Sequence, residues 1–198
     1  MSGGLRERKK EQARDRIVEA AIALFEERGI DATSMDDIAR RVQLSRATVF
    51  NYFAYKEAIL VEIGARLVTD IAQQAGAHRR RSERLALLDL ADAVAAIAER
   101  HAGVVPYIAR EMTHPDTARR EYAAARMGYP ALYQGLLEEL ARAGRLRSPS
   151  RRQSYARQLV DMTTGALVRV GNDFPLSELR AQLRANVEVF WEGAVVPD

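Results

Sequence analysis

The sequence predicts an all-α fold class, with a three-helix N-terminal module followed by a larger helical domain, about nine helices in all. Three observations predict it. Apolar residues recur at spacings of three and four rather than two. Ala, Leu, Arg and Glu dominate, and runs of β-branched residues are scarce. Glycine or proline stands where the patterns stop, at Gly29, Gly103, Gly144 and Pro175.

The first helix carries Ile17, Ala20, Ala21, Leu24 and Phe25 on one face, and Gly29 ends it. Thr33 and Ser34 compete as the next N-cap, with Asp36 or Asp37 three residues on. A short helix over 35–41 turns Ile38 and Ala39 inward. Val42-Gln43-Leu44 makes a tight turn, and Ser45 caps a third helix over 46–52. A long fourth helix starts near Lys56 and carries Ile59, Leu60, Ile63, Leu67 and Ile71. A basic polar break runs from Gly76 to Ser82. Leu85, Leu88, Val94 and Ile97 mark a fifth helix, and Pro106 opens a short sixth over 107–112. A seventh spans 116–143, with a kink or break expected at Pro130. An eighth carries Tyr155, Leu159, Met162, Thr163, Ala166 and Val170, and a ninth carries Leu179, Leu183, Val187, Phe190 and Trp191.

Composition narrows the function. The 198 residues are 47% hydrophobic, enough for a substantial core, and the formal net charge is only +3, so any basic footprint is local. The absence of cysteine excludes disulfides, thiolate metal sites and thiol nucleophiles, and suits a reducing compartment. No apolar run approaches the roughly 20 residues of a membrane span. The charged N-terminus lacks the apolar stretch of a signal peptide. The expectation is a cytoplasmic protein with no cofactor.

The segment from Thr33 to Glu57 carries the chemistry. Two short helices joined by a three- or four-residue turn make a wedge whose second helix fits the DNA major groove. The residues that would meet bases and nearby backbone are Ser45, Arg46, Ala47, Thr48, Phe50, Asn51 and Tyr52. Arg46 can pair bidentately with guanine, the Thr48 methyl can touch a thymine methyl, and the small Ala47 allows close approach. Thr33 and Lys56 stand at helix N-termini, which favour a phosphate. Arg6, Arg8, Lys9, Lys10, Arg14 and Arg16 form a basic lead-in that can follow a phosphate backbone or enter a minor groove. Phe53 reads as core.

These residues resemble the DNA-binding region of TetR-family transcriptional regulators. The matching positions are Ile17, Ala20, Ala21, Leu24, Phe25 and Gly29, then Ala32-Thr33 and Asp37-Ile38-Ala39, then Ser45 through Phe53 and Lys56 through Leu60. The match spans roughly residues 10–62; beyond it only length and helical pattern agree. Gln43 stands where the family usually has glycine, Tyr55 where it has a small polar residue, and Phe50 where tyrosine is frequent. The resemblance implies a DNA-binding domain over 1–55 and a ligand-binding and dimerisation domain over 56–198. It implies a homodimeric repressor on a near-palindromic DNA operator, released by a small, largely apolar effector. The dimer would form through the helices at about 152–171 and 176–194, whose small residues Ala156, Thr163, Gly165 and Ala166 permit close packing.

Tyr107, Met112, Tyr122, Met127, Tyr129, Tyr133 and Trp191 are the candidates to line an effector pocket. His101 and His114 lack metal-ligand spacing, so no metal site is expected. Glu111 beside Met112 and His114 reads as part of a solvated helix face. The alternative to a ligand-released repressor is an activator or architectural DNA binder without an effector; a fully packed C-terminal core would favour it. An enzyme is not expected, since the chain has no nucleophile motif, glycine-rich phosphate loop or metal cluster.

Overall fold

Helix α1 spans Gly3–Arg28, so the basic segment expected as a lead-in is itself helical and continuous with the apolar part. From residue 5 to residue 28 no proline or glycine interrupts a run of strong helix formers. The computed structural model describes residues 3–76 and 82–196. Residues 77–81 of the expected basic break lie outside the described residues. Ile17, Val18, Ala21, Leu24 and Phe25 form the buried face of α1. Gly29 ends it in the left-handed region at φ 85°, and its N–H donates to the Phe25 carbonyl at 2.9 Å.

Helices α2 (Met35–Val42) and α3 (Arg46–Tyr52) follow, then α4 (Lys56–Gly76). The larger set comprises α5 (Glu83–Arg100), α6 (Val105–Met112), α7 (Thr117–Met127), α8 (Ala131–Arg142), α9 (Arg152–Val170) and α10 (Leu179–Ala194). Short 3₁₀ turns precede α9 and α10. There are thus ten α-helices among the described residues, one more than expected. The extra one comes from the stretch read as a seventh helix. Gly128 adopts φ 66° and closes α7, and Pro130 prevents a continuous helix from re-forming before Ala131.

The chain divides into two compact units, residues 1–63 and 64–198, so that the division falls within α4. In the second unit α9 packs against α6, α8 and α10, and α5 packs against α8 and α10. Leu87, Ile97, Leu137, Leu140, Leu179 and Leu183 are its most deeply buried large side chains. Leu85, expected on the inner face of α5, is exposed; Leu87, Leu88 and Leu90 take the buried positions. The loop after α8 is tied to the end of α10 by Arg147 N–H donating to the Ala194 carbonyl (2.9 Å) and Val196 N–H to that of Arg145 (2.7 Å).

Candidate nucleic-acid interface and apolar cavity

In the first unit, α2 and α3 are fixed by their caps. The Ser34 side chain accepts from Asp37 N–H at 3.1 Å, and the Asp37 carboxylate accepts from the Ser34 N–H at 2.9 Å. This reciprocal box settles the choice of N-cap in favour of Ser34. The bonds from the Ser34 hydroxyl and backbone, with Arg40 alongside, hold the Asp37 carboxyl well below the usual carboxylate range. At the other end of α2, Gln43 lies at φ 57°, ψ 39°. Its N–H donates to Arg40 and the Leu44 N–H donates to Ala39, closing a Schellman turn. Gln43 is the one described non-glycine residue with positive φ.

The Ser45 hydroxyl then accepts from Thr48 N–H at 3.1 Å and opens α3. Val49 and Phe53 are buried, which fixes the rotation of this short helix. Arg46, Ala47 and Asn51 consequently face solvent, with Thr48, Phe50 and Tyr52 half-buried. The Arg46 guanidinium lies 5.2 Å from the centre of the Phe50 ring and 3.2 Å from the Asp36 carboxylate. Both partners are exposed, so the ion pair contributes at most about 1 kcal/mol and releases readily.

The two expected phosphate anchors have other partners. Thr33 is buried, and its hydroxyl donates to the Gly29 carbonyl at 2.8 Å and approaches that of Leu24 at 3.3 Å. That bond closes the end of α1 and turns the hydroxyl away from solvent. Lys56 Nζ donates to the carbonyls of Ile30 (2.5 Å) and Thr33 (3.1 Å). Two residues of the basic lead-in are similarly engaged: Arg14 pairs with Glu62 at 2.7 Å, and Arg16 donates to the Val42 carbonyl at 2.8 Å. Arg6, Arg8, Lys9 and Lys10 remain exposed, and Arg6, Lys9 and Lys10 line a shallow depression with Tyr52. The capped surface therefore combines a small, exposed turn of α3 with a cationic border from α1. Such an arrangement can place one helix at base edges and neutralise phosphates beside it.

The second unit contains an apolar cavity of about 40 Å³. Of the expected pocket residues, Met112, Met127 and Tyr129 line it. Tyr133 is buried elsewhere, its hydroxyl 2.8 Å from that of Thr163. Burial pushes the Tyr133 hydroxyl up to about 12. Tyr107 stacks beside Arg110, Trp191 lies under the Arg145 guanidinium, and Tyr122 is 44% exposed. Gly64, Val68 and Val94 also form the wall, and no aromatic pattern in the sequence marks them. A separate groove of about 460 Å³ runs between α4, α5 and α8, and Val68 borders both spaces.

Glu111 is also not on a solvated face: it is buried and receives two bonds from Arg119, at 2.7 and 2.8 Å. Its neighbour His114 accepts from the Asp116 N–H through Nδ1 at 3.1 Å. Among the described residues no cluster of three or more His, Cys, Asp or Glu could hold a metal ion. None of their helices is long and apolar enough to cross a membrane.

Comparison with known proteins follows this division. Residues 17–63 match the model of the bacterial regulatory proteins of the tetR family. The IcaR proteins, negative transcriptional regulators of the biofilm operon icaADBC, match over 46 residues, at 41% identity in Staphylococcus aureus and 39% in Staphylococcus epidermidis. That match covers 23% of this chain and spans only a quarter (25%) of the length of those curated relatives. The likeness of the whole chain is structural. FadR of Thermus thermophilus, a TetR-family transcriptional repressor solved with lauroyl-CoA, superposes with a TM-score of 0.84 at 28% identity, covering 93% of this chain and 96% of that one. A TetR-family regulator from Syntrophomonas wolfei shares the fold at a TM-score of 0.72 and 16% identity, over 96% of this chain and all (100%) of its own.

Proposed function

We propose that this chain is a transcriptional regulator of the TetR family, a reading supported by the family match over residues 17–63 and by the likeness to FadR: a cytoplasmic homodimeric repressor of a near-palindromic operator, released by an apolar effector. The observation that carries this reading is the solvent-facing first turn of α3. Arg46 and Ala47 project from a helix whose rotation is fixed by Val49 and whose start is fixed by Ser45. Residues 1–55 read DNA in this account, and residues 56–198 bind effector and partner. Arg46, Thr48 and Asn51 face the bases, with Ser45, Phe50, Tyr52 and the exposed cations of α1 at the backbone.

The effector is an aliphatic acyl compound. Three things support this class: the similar repressor solved with lauroyl-CoA, the uncharged wall of the cavity, and the 460 Å³ groove beside it. A DNA binder without an effector would not need that space. For the dimer, α9 and α10 offer the surface. Val189 is 64% exposed, and a side chain at Gly165 would meet nothing within the chain. A second copy of the same helix pair would cover both and make an isologous four-helix contact. Effector and operator then bias one two-state equilibrium in opposite directions.

The test is fluorescence anisotropy on an operator duplex, with sedimentation to count protomers. The expected result is two protomers per operator and loss of bound DNA on addition of lauroyl-CoA. Stable binding at every lauroyl-CoA concentration would turn the account toward an effector-free DNA binder.

A further inference from the structure

The buried face of α1 continues beyond the core as a cationic one. Arg6, Lys10, Ala13, Ile17, Ala20 and Leu24 follow one another at alternating spacings of four and three, so they share one side of the helix. On that side Ile17, Ala20 and Leu24 are buried, Ala13 is half-buried, and Arg6 and Lys10 are exposed. Lys9 stands beside them, three residues after Arg6 and four before Ala13. Where the side turns cationic, Arg6, Lys9 and Lys10 border a shallow depression with Tyr52, at the end of α3. Glu7 also borders it, so three cations there face one carboxylate. Arg8 lies on the far side of α1, about 200° round from Arg6.

These positions define the partner. Like charges three and four residues apart on a helix repel one another, and an anionic partner relieves that repulsion. The span from Arg6 to Lys10 is about 6 Å along the axis, and a DNA duplex presents one phosphate charge about every 1.7 Å of its own. Arg14 and Arg16 are already engaged within the module, with Glu62 and the Val42 carbonyl.

Helicity decides how the three cations meet DNA. An extended arm could enter a minor groove, but α1 is helical from Gly3. A helix with its side chains is about 10–12 Å across, and the minor groove is about 6 Å wide. Helix α3, of seven residues, is about 10 Å long, with Arg46 and Ala47 at one end and Tyr52 at the other. The major groove is about 12 Å wide. With the first turn of α3 at the bases, its Tyr52 end lies at the edge of the groove, where the phosphate backbone runs.

We propose that Arg6, Lys9 and Lys10 form a phosphate clamp: α1 lies along the backbone at the edge of the major groove, and these three side chains hold phosphates without reading sequence. Arg8 is not part of the clamp. This inference rests on the DNA reading given above and narrows the exposed cations of α1 to one face.

The experiment follows fluorescence anisotropy of two duplexes, one of random sequence and one enriched from a random pool by the wild type, across a potassium chloride series. The full-length wild type is compared with Arg6→Gln/Lys9→Gln/Lys10→Gln and with Arg8→Gln; glutamine suits a helix about as well as the residues it replaces. The triple variant should flatten the salt slope by about 2.7 for each protomer bound, on both duplexes. Arg8→Gln should leave the slope unchanged. Both variants should keep the wild-type ratio of affinities for the two duplexes. If circular dichroism shows that the triple variant has lost helix, the single variants Arg6→Gln and Lys10→Gln carry the test, each flattening the slope by about 0.9 per protomer. An unchanged slope, a flattening by Arg8→Gln as large per charge removed, or a wild-type preference for A·T flanks that the triple variant loses would overturn the clamp and leave the DNA reading standing. Failure of the wild type to bind any duplex would overturn both.

Discussion

Arg14 of α1 reaches Glu62 of α4 with a 2.7 Å charge-assisted bond while its guanidinium lies 4.5 Å from the centre of the Phe53 ring. The Glu62 side chain is only 8% exposed, whereas that of Arg14 is 33% exposed. One arginine therefore links the first helix, the end of the reading helix and the fourth helix. Arg14→Ala removes this donor from a buried carboxylate and uncovers the Phe53 ring. We expect it to destabilise the first unit by about 1–3 kcal/mol. Thermal unfolding followed by circular dichroism checks this; an unchanged midpoint would show that the link contributes nothing.

Gln43 holds a left-handed backbone that glycine adopts freely and glutamine does not. Gln43→Gly should stabilise the protein by about 1 kcal/mol through relief of that strain, less the added entropy of the unfolded glycine. Chemical denaturation compares the two proteins. Destabilisation by the substitution would mean that the Gln43 side chain does more than tolerate its turn.

Lys56 donates to two backbone carbonyls of the segment that leads into α2. Its replacement by alanine should therefore act first on stability, lowering it by about 1.5–3 kcal/mol, the range for bonds to a charged donor. A full set of melting curves alongside DNA titrations separates the effects. If Lys56→Ala melts as the wild type does and only flattens the salt dependence of DNA binding, Lys56 is a phosphate ligand after all.

Tyr133 supplies a pH test. Burial raises its folded-state value to about 12, against 10.0 for the free side chain. The neutral form is thus favoured in the folded state, so its contribution is complete below pH 10. It is lost as pH rises from 10 toward 12, where the unfolded chain ionises first. Stability of the wild type should fall across that window more steeply than stability of Tyr133→Phe. Identical alkaline profiles would remove Tyr133 from the account. At the acid end, Asp37 acts with the opposite sign. Its depressed value gives stability that is present above the ordinary carboxylate range and is lost as pH falls below it.

Local rules made the reading module legible. Ser45 and Gly29 each mark a boundary through a cap or a backbone preference that depends on nearby residues only. The spacing of Val49 and Phe53 then sets which face of α3 is outward. The partners of Thr33, Lys56 and Arg14 were not legible, because they come from residues 4 to 48 positions away whose approach is a product of packing. In the second unit the break expected at Pro130 is present, and Gly128 adds an independent stop that separates the stretch into two helices. Aromatic residues were poor guides to the cavity. Tyr122 and Trp191 are large enough to line one, yet helix rotation directs them elsewhere, and the actual wall includes Gly64 and Val68. Glu111 misled for a related reason: its partner Arg119 sits on the following helix.

The central claim is that the first turn of α3 reads DNA as one half of a symmetric pair. Selection of bound duplexes from a random pool tests it most directly, run in parallel with the wild type and Arg46→Ala. The account predicts a near-palindromic site for the wild type. It predicts relaxed preference at one base position per half-site for the variant, with a loss of about 1–3 kcal/mol there. Failure to enrich any sequence, or enrichment of one identical site by both proteins, would contradict it.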